Sequence, residues 1–193
     1  MAIMVSRREQ RLWLASLVSL PFLLAGNYAI NAWRNAQDYV RRNELRVHDS
    51  VDGHAYAKAL WSLDQARLIG DGRDAKITFP GQMRLLIVRM TAKAEEEIGD
   101  SWAQCQLTLT DPSGRRWLPL NFILSNDISR DLDPKATPVD GCDAASRKPP
   151  AKGASALIEE KFVVPADAMP SLSVRLSFDS TRPDTISFPL RLN

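Results

Sequence analysis

Two histidines, two cysteines and scattered carboxylates are the side chains from which this chain could build chemistry. His48 and His54 enclose Asp49 and Asp52, the one run that mixes metal-ligating types. Imidazole and carboxylate can complete a zinc or copper shell, but only when the ligands are held rigidly. Here they fall in a polar stretch expected to be a junction, so these four are weak metal candidates and no cofactor is expected. Asn126, Asp127, Asp131 and Asp133 could offer oxygen to calcium. They lack the alternate-position ligands, the central Gly and the distal Glu of a helix-loop-helix calcium site, which leaves a solvated loop as the better account.

Catalytic patterns fare no better. Gly70-Asp71-Gly72-Arg73-Asp74-Ala75 has the letters of a dinucleotide-binding turn. That mechanism needs a helix N-terminus behind the glycines to receive a pyrophosphate, whereas Lys76-Ile77-Thr78-Phe79-Pro80 is β-like, so a tight turn is expected instead. Neither a Gly-x-Ser-x-Gly elbow nor a Ser-x-x-Lys pair occurs, and both histidines precede the expected fold, so a Ser-His-Asp arrangement has no base. Glu95-Glu96-Glu97 reads as a charged connection between strands.

Cys105 and Cys142 remain. In an oxidising compartment they are expected to pair, stabilising the fold by up to about 4 kcal/mol and pinning a loop onto the body. In a reducing one they would be two separate thiols, with Cys105 a small core residue. No Cys-x-x-Cys is present, so redox catalysis is not indicated.

The compartment depends on the elements that carry these residues. No formal charge falls between Arg11 and Arg34, and residues 12–33 are dominated by Leu, Ala, Val, Phe and Trp. A helix of that length covers roughly 30 Å, the thickness of a hydrocarbon core. Trp13, Tyr28 and Trp33 lie near its ends, where amphipathic rings favour the headgroup layer. Pro21 is tolerated in a spanning helix. A cleaved signal needs small residues at one and three positions before the cut; Ala25 has Leu23 and Ala29 has Asn27 at minus three, so an uncleaved anchor is expected, ahead of a cleaved signal and, third, a buried helix of a soluble protein. Basic residues flank both sides, so counting them does not decide the orientation; the short basic tail resembles the start of a secretion signal, and 1–11 are expected in the cytoplasm with the remainder outside.

Beyond the span, residues 34–59 are expected to be a helical stalk and linker. Period-two alternation then begins. It places Leu86, Val88, Met90 and Ala92 on one face of 84–94; Ala103, Cys105, Leu107 and Leu109 on one face of 102–110; Leu118, Leu120, Phe122 and Leu124 on one face of 115–124. Ser171–Phe178 and Thr185–Leu192 alternate most cleanly, and weaker strands are expected at 60–69, 75–79 and 157–164. Asp111-Pro112-Ser113-Gly114 has the residue order of a tight turn and predicts a hairpin. Residues 126–155, with Pro134, Pro138, Pro149 and Pro150, show no period and read as a long inserted loop. The expectation is an all-β, single antiparallel sandwich over 60–193, preceded by one transmembrane helix and a short stalk.

Leu107-Thr108-Leu109-Thr110-Asp111-Pro112-Ser113-Gly114 with Trp117, then Phe162-Val163-Val164-Pro165 before Leu172, Val174 and Leu176, resembles a bacterial envelope family of unknown function. Its members are single immunoglobulin-like domains tethered by an N-terminal span or lipid. The resemblance covers about residues 60–192 and implies that fold and an extracytoplasmic location, with no catalytic residues to transfer; the Pro-rich insertion departs from it.

Charge narrows the partners. The net charge is +2, and Arg7, Arg8 and Arg11 against Glu9 account for it, leaving the rest neutral. A neutral body has no field to draw nucleic acid. The expected partners are therefore the bilayer, through 12–33, and another envelope protein, met through the insertion or through exposed members of Trp61, Trp102 and Trp117. A non-enzymatic, membrane-anchored interaction or structural module is the leading expectation, with small-ligand or ion binding second and hydrolysis third.

Overall fold

The computed structural model describes residues 7–51, 53–69, 81–132, 135 and 138–191. The expected turn at Gly70–Asp74, the strand expected at 75–79, and Asp52 and Asp133 lie outside them, as does the side chain of Asp131. The chain divides into two compact units after Arg42.

The first unit is one helix, α1 (Arg7–Arg42), with no buried residue and Pro21 inside it. Glu9 in its first turn and Arg41 and Arg42 in its last complement the helix dipole. Its most apolar 18-residue window has a mean hydropathy of 1.5, so the helix is long and apolar enough to cross a membrane.

The second unit is a two-sheet sandwich built from β1 (Arg46–Asp49), β2 (His54–Tyr56), β3 (Ala59–Ile69), β4 (Met83–Ala94), β5 (Gln106–Thr110), β6 (Arg116–Trp117), β7 (Ser155–Pro165), β8 (Ser173–Ser177) and β9 (Asp184–Pro189). One sheet runs β1-β9-β8-β5-β6 and the other β2-β3-β4-β7. β1 joins β9 in parallel, and the other described pairings are antiparallel. Two helices, α2 (Phe122–Leu132) and α3 (Cys142–Arg147), lie between β6 and β7.

Alternating apolar positions make the core, as their periodicity requires. Leu86, Val88, Met90 and Ala92 of β4 are fully buried, and they meet Leu107, Leu109, Val174, Leu176, Ile186 and Phe188 of the other sheet. An aromatic cluster closes one end: the Trp61 ring lies tilted at 4.9 Å from Trp102 and 5.6 Å from Phe178, and Trp102 stacks on Phe178 at 6.0 Å. The buried indole N–H groups are satisfied, Trp61 Nε1 donating to the Tyr56 carbonyl at 2.9 Å and Trp102 Nε1 to that of Ala57 at 3.0 Å.

Several expectations are corrected. The chain is not all-β, since helix and strand each make up about a third of it, about 37% and 35%. Segment 43–59, expected as linker, carries β1 and β2 and belongs to the sandwich; strands of four and three residues are too short for alternation to reveal. Residues 99–102 form a 3-10 turn and the strand begins only at Gln106, because Gly99 and Gln104 adopt positive φ (52° and 51°) and break the extended run. The strand expected over 115–124 stops at Trp117. Pro119 cannot donate to a ladder, and Asn121 caps a helix, its Oδ1 accepting from Leu124 N at 3.0 Å. The supposed loop at 126–155 accordingly holds most of α2 and all of α3. The hairpin across Asp111–Gly114 forms as expected, with Leu109 opposite Trp117 and Thr110 opposite Arg116.

Candidate functional site

The insertion between β6 and β7 is where this sandwich departs from a bare two-sheet body. β7 is an edge strand, and an unpaired edge invites pairing with other chains. The insertion covers it: Leu120 N donates to the Lys161 carbonyl at 2.7 Å, and Glu159 N to that of Asp140 at 3.0 Å. Successive β7 side chains point to opposite faces, and the charged run Glu159-Glu160-Lys161 is divided accordingly.

On one face Glu159 is buried among cations. Its Oε2 accepts from Arg89 Nε at 3.0 Å and Nη2 at 2.5 Å, and its Oε1 from Lys161 Nζ at 2.8 Å. Lys161 Nζ also donates to Ser125 Oγ at 3.2 Å, which ties α2 to the strand. Burial pushes the Glu159 carboxyl up, but the hydrogen bonds from Lys161 and Arg89 outweigh it and hold it below the usual range.

Glu160 is in the opposite situation. It is only 9% exposed, its Oε1 accepts from Cys142 N at 2.7 Å, and no ion pair reaches it among the described residues. Burial pushes this carboxyl up, and the Cys142 N–H and the nearby Lys161 charge only partly offset that. Gly141 makes the approach possible, because a Cβ there would stand 2.7 Å from Glu160 Oε1. α3 is held in place from below: Cys142 is bonded to Cys105 with Cα atoms 5.4 Å apart, and Cys142 and Ala145 join the core.

Between the start of α2 and α3 lies a cleft of about 640 Å³, with Pro119, Leu120 and Phe122 on one wall, Val139 and Asp140 on the other, and Glu160 in its lining. Beside it the apolar side chains are bare: Leu118, Phe122, Ile123 and Leu124 are 65%, 73%, 70% and 49% exposed. Isolated apolar residues are ordinary on a surface, but several adjacent in sequence at one edge of a cleft form a patch that marks contact sites.

The residues singled out from the sequence fall elsewhere. Trp61 and Trp102 are fully buried in the core, which removes them as contact residues; their indole rings are the aromatic cluster itself. Trp117 is half-buried on β6, with the Arg115 guanidinium 5.4 Å above its ring. His48 and His54 lie on strands of different sheets. His48 Nε2 meets Asp184 Oδ1 at 2.9 Å, beside the Arg46–Asp184 ion pair, and Asp49 is exposed. Among the described residues no group of three or more His, Cys, Asp or Glu side chains is placed to hold a metal ion. Asp127 pairs with Arg130 along α2. Glu160 and the apolar ledge were missed by sequence reasoning. The ledge did leave a signal, since an Asn followed by a helical run is a cap pattern.

No protein-family model matches the chain, and no curated protein matches it. Among solved structures it is similar to a conserved hypothetical protein from Bacillus anthracis, at 6% identity over 72% of this chain and 94% of that one, with a TM-score of 0.43. The yjhA protein from Bacillus subtilis is similar at 11% identity over 76% and 99%, TM-score 0.43. An uncharacterized β-sandwich protein from Clostridium difficile is similar at 8% identity over 77% and 96%, TM-score 0.37.

Proposed function

We propose that this chain is a membrane-anchored module of a bacterial envelope whose sandwich lies outside the cytoplasm and docks another envelope protein through its insertion. The apolar ledge carries this reading. Phe122 and Ile123 are about three-quarters and seven-tenths exposed on an insertion whose α2 is tied to Lys161 through Ser125 and whose α3 is stapled through Cys142. A surface that is apolar and already ordered loses little entropy on binding. The helix α1 supports the anchoring, and a disulfide suits an oxidising compartment. The strand order also supports an immunoglobulin-like sandwich: β3-β4-β7 against β9-β8-β5-β6 follows the A-B-E and G-F-C-C′ arrangement.

The test is a photo-crosslinking residue at position 123 of the full chain in its own membranes. A discrete adduct with one membrane or envelope protein is expected, lost in Phe122→Glu and absent when the crosslinker sits at exposed Glu96. Equal labelling at both positions, or none, would remove the docking role. For placement, an alkaline phosphatase fusion after Asn193 should be active; an inactive fusion, with both thiols alkylated in intact cells, would reverse the orientation.

A further inference from the structure

We infer that the cleft beside the ledge receives a lysine or arginine side chain carried on an apolar segment of the docking partner, with Glu160 and Asp140 as its counter-charges. The inference rests on the docking reading above and names the chemistry of the partner.

Three features of the cleft support it. Its walls at Pro119, Leu120, Phe122 and Val139 are apolar, suited to the methylene stem of a long basic side chain. Asp140 and Glu160 line it, and neither forms an ion pair among the described residues, whereas the other lining acid, Asp143, is already matched by Arg147. The contrast within β7 is the sharpest point: Glu159 has two cations, while its neighbour Glu160, equally buried, has one backbone N–H. Burying a carboxyl without a cation is costly, and a cation brought by the partner would offset that cost. Lys161 cannot serve, because its ammonium is engaged by Glu159 and Ser125 on the opposite face of the strand. Unpaired acids also argue against the alternative occupant, an anionic lipid surface, which would be repelled.

Binding would also be linked to protons. Glu160 ionises reluctantly when the cleft is empty, and a cation favours the ionised form, so affinity for a basic ligand should rise with pH until the empty-state carboxyl is ionised. The other charged groups lining the cleft with it are Asp140, Asp143 and Arg147 from the insertion, while Glu159 and Lys161, on the opposite face of β7, act on it only through their charge.

The experiment uses the full chain in phosphatidylcholine nanodiscs and two labelled peptides, Leu-Trp-Arg-Leu and its citrulline counterpart, which differ only in charge. The arginine peptide should bind at least about tenfold more tightly. Glu160→Gln, which keeps the acceptor for Cys142 N–H, and Asp140→Asn on the exposed rim should each remove most of that preference while leaving citrulline-peptide binding nearly unchanged; Glu160→Gln should also flatten the pH dependence. Equal affinity for the two peptides, or an undiminished preference in both variants, would overturn the inference. A dye at position 123 that responds to phosphatidylglycerol nanodiscs and not to either peptide would overturn it in favour of lipid. A position-123 adduct alongside peptides that do not discriminate would leave docking standing and remove the basic side chain from it; loss of the adduct as well would remove both.

Discussion

Glu160 and Asp111 respond to pH in opposite directions, and the reason is visible in their partners. Asp111 sits in the β5–β6 turn, where its Oδ1 accepts from Ser113 Oγ at 2.8 Å and Arg115 N at 2.9 Å, and its Oδ2 from Arg115 Nε at 2.7 Å. Burial pushes the carboxyl up, but those donors overcome it and bring it down to about 2. A folded-state value below the unfolded one means stability that is present at neutral pH and lost as pH falls from about 4 toward 2. Asp111→Asn should therefore lower Tm at pH 7 and leave it nearly unchanged near pH 2. For Glu160 the folded-state value is raised, so the folded chain holds the proton longer and stability declines as pH rises from the ordinary glutamate range to the folded value. Glu160→Gln removes that decline: its Tm should exceed that of the parent at pH 8, with the gain vanishing near pH 4. A variant that loses affinity while gaining stability would separate a binding role from a structural one. Neither Asp111's network nor Glu160's isolation was legible in the sequence, where Glu159-Glu160-Lys161 is a run of three charges and only the face each side chain takes distinguishes them.

Turns and staples determine where the elements end. The β2–β3 hairpin has two central residues, Ala57 and Lys58, with φ of 49° and 65°, a left-handed pair that Asn-Gly would satisfy with less strain. Ala57→Asn with Lys58→Gly should raise stability by about 1 kcal/mol, less whatever is lost with the Lys58 Nζ bond to the Glu97 carbonyl, as measured by the urea midpoint. The Cys105–Cys142 bond closes 37 residues, worth about 4 kcal/mol on the chain-entropy account. Cys105→Ser with Cys142→Ser should cost up to that much and loosen α3, so hydrogen exchange at Ala145 should accelerate before that of β4. The long strands were readable because one of their faces is buried: β4, β7, β8 and β9 alternate against a core. The segment 115–124 alternates in sequence too, but its last residues open α2 and Leu118, Phe122, Ile123 and Leu124 are all exposed, and apolar periodicity carries no record of what will cover it. β1 and β2 escaped for the opposite reason, being short and held by backbone pairing more than by apolar faces.

At the scale of the molecule, the body takes up the chain almost as soon as α1 ends. Glu44 is drawn into the sheet, its side chain 2% exposed, with Oε2 accepting from Arg116 Nη2 at 2.5 Å and Oε1 from Ser177 Oγ at 2.6 Å. Leu45 N and Arg46 N donate to the Pro183 carbonyl, and β1 then runs beside β9 from Arg46 to Asp49. The start of the segment read as a linker is thus fastened at both side chain and backbone, and the composition of residues 43–50, polar and free of Pro and Gly, could not distinguish a stalk from an edge strand. A linker would be cut readily by a glutamate-specific protease, since loops and junctions are where local opening is cheapest. In the full chain in nanodiscs, cleavage after Glu44 should be slow. Arg116→Ala leaves a buried carboxylate with only the Ser177 hydroxyl, and breaking a buried pair costs several kcal/mol, reduced here because Arg116 is 40% exposed. Cleavage after Glu44 should then accelerate at least about tenfold, which requires only about 1.4 kcal/mol of added opening, while the sites after the buried Glu159 and Glu160 of β7 stay protected. Rapid cleavage of the parent chain would mean that the strand is not held on β9, and that the body begins only at β2.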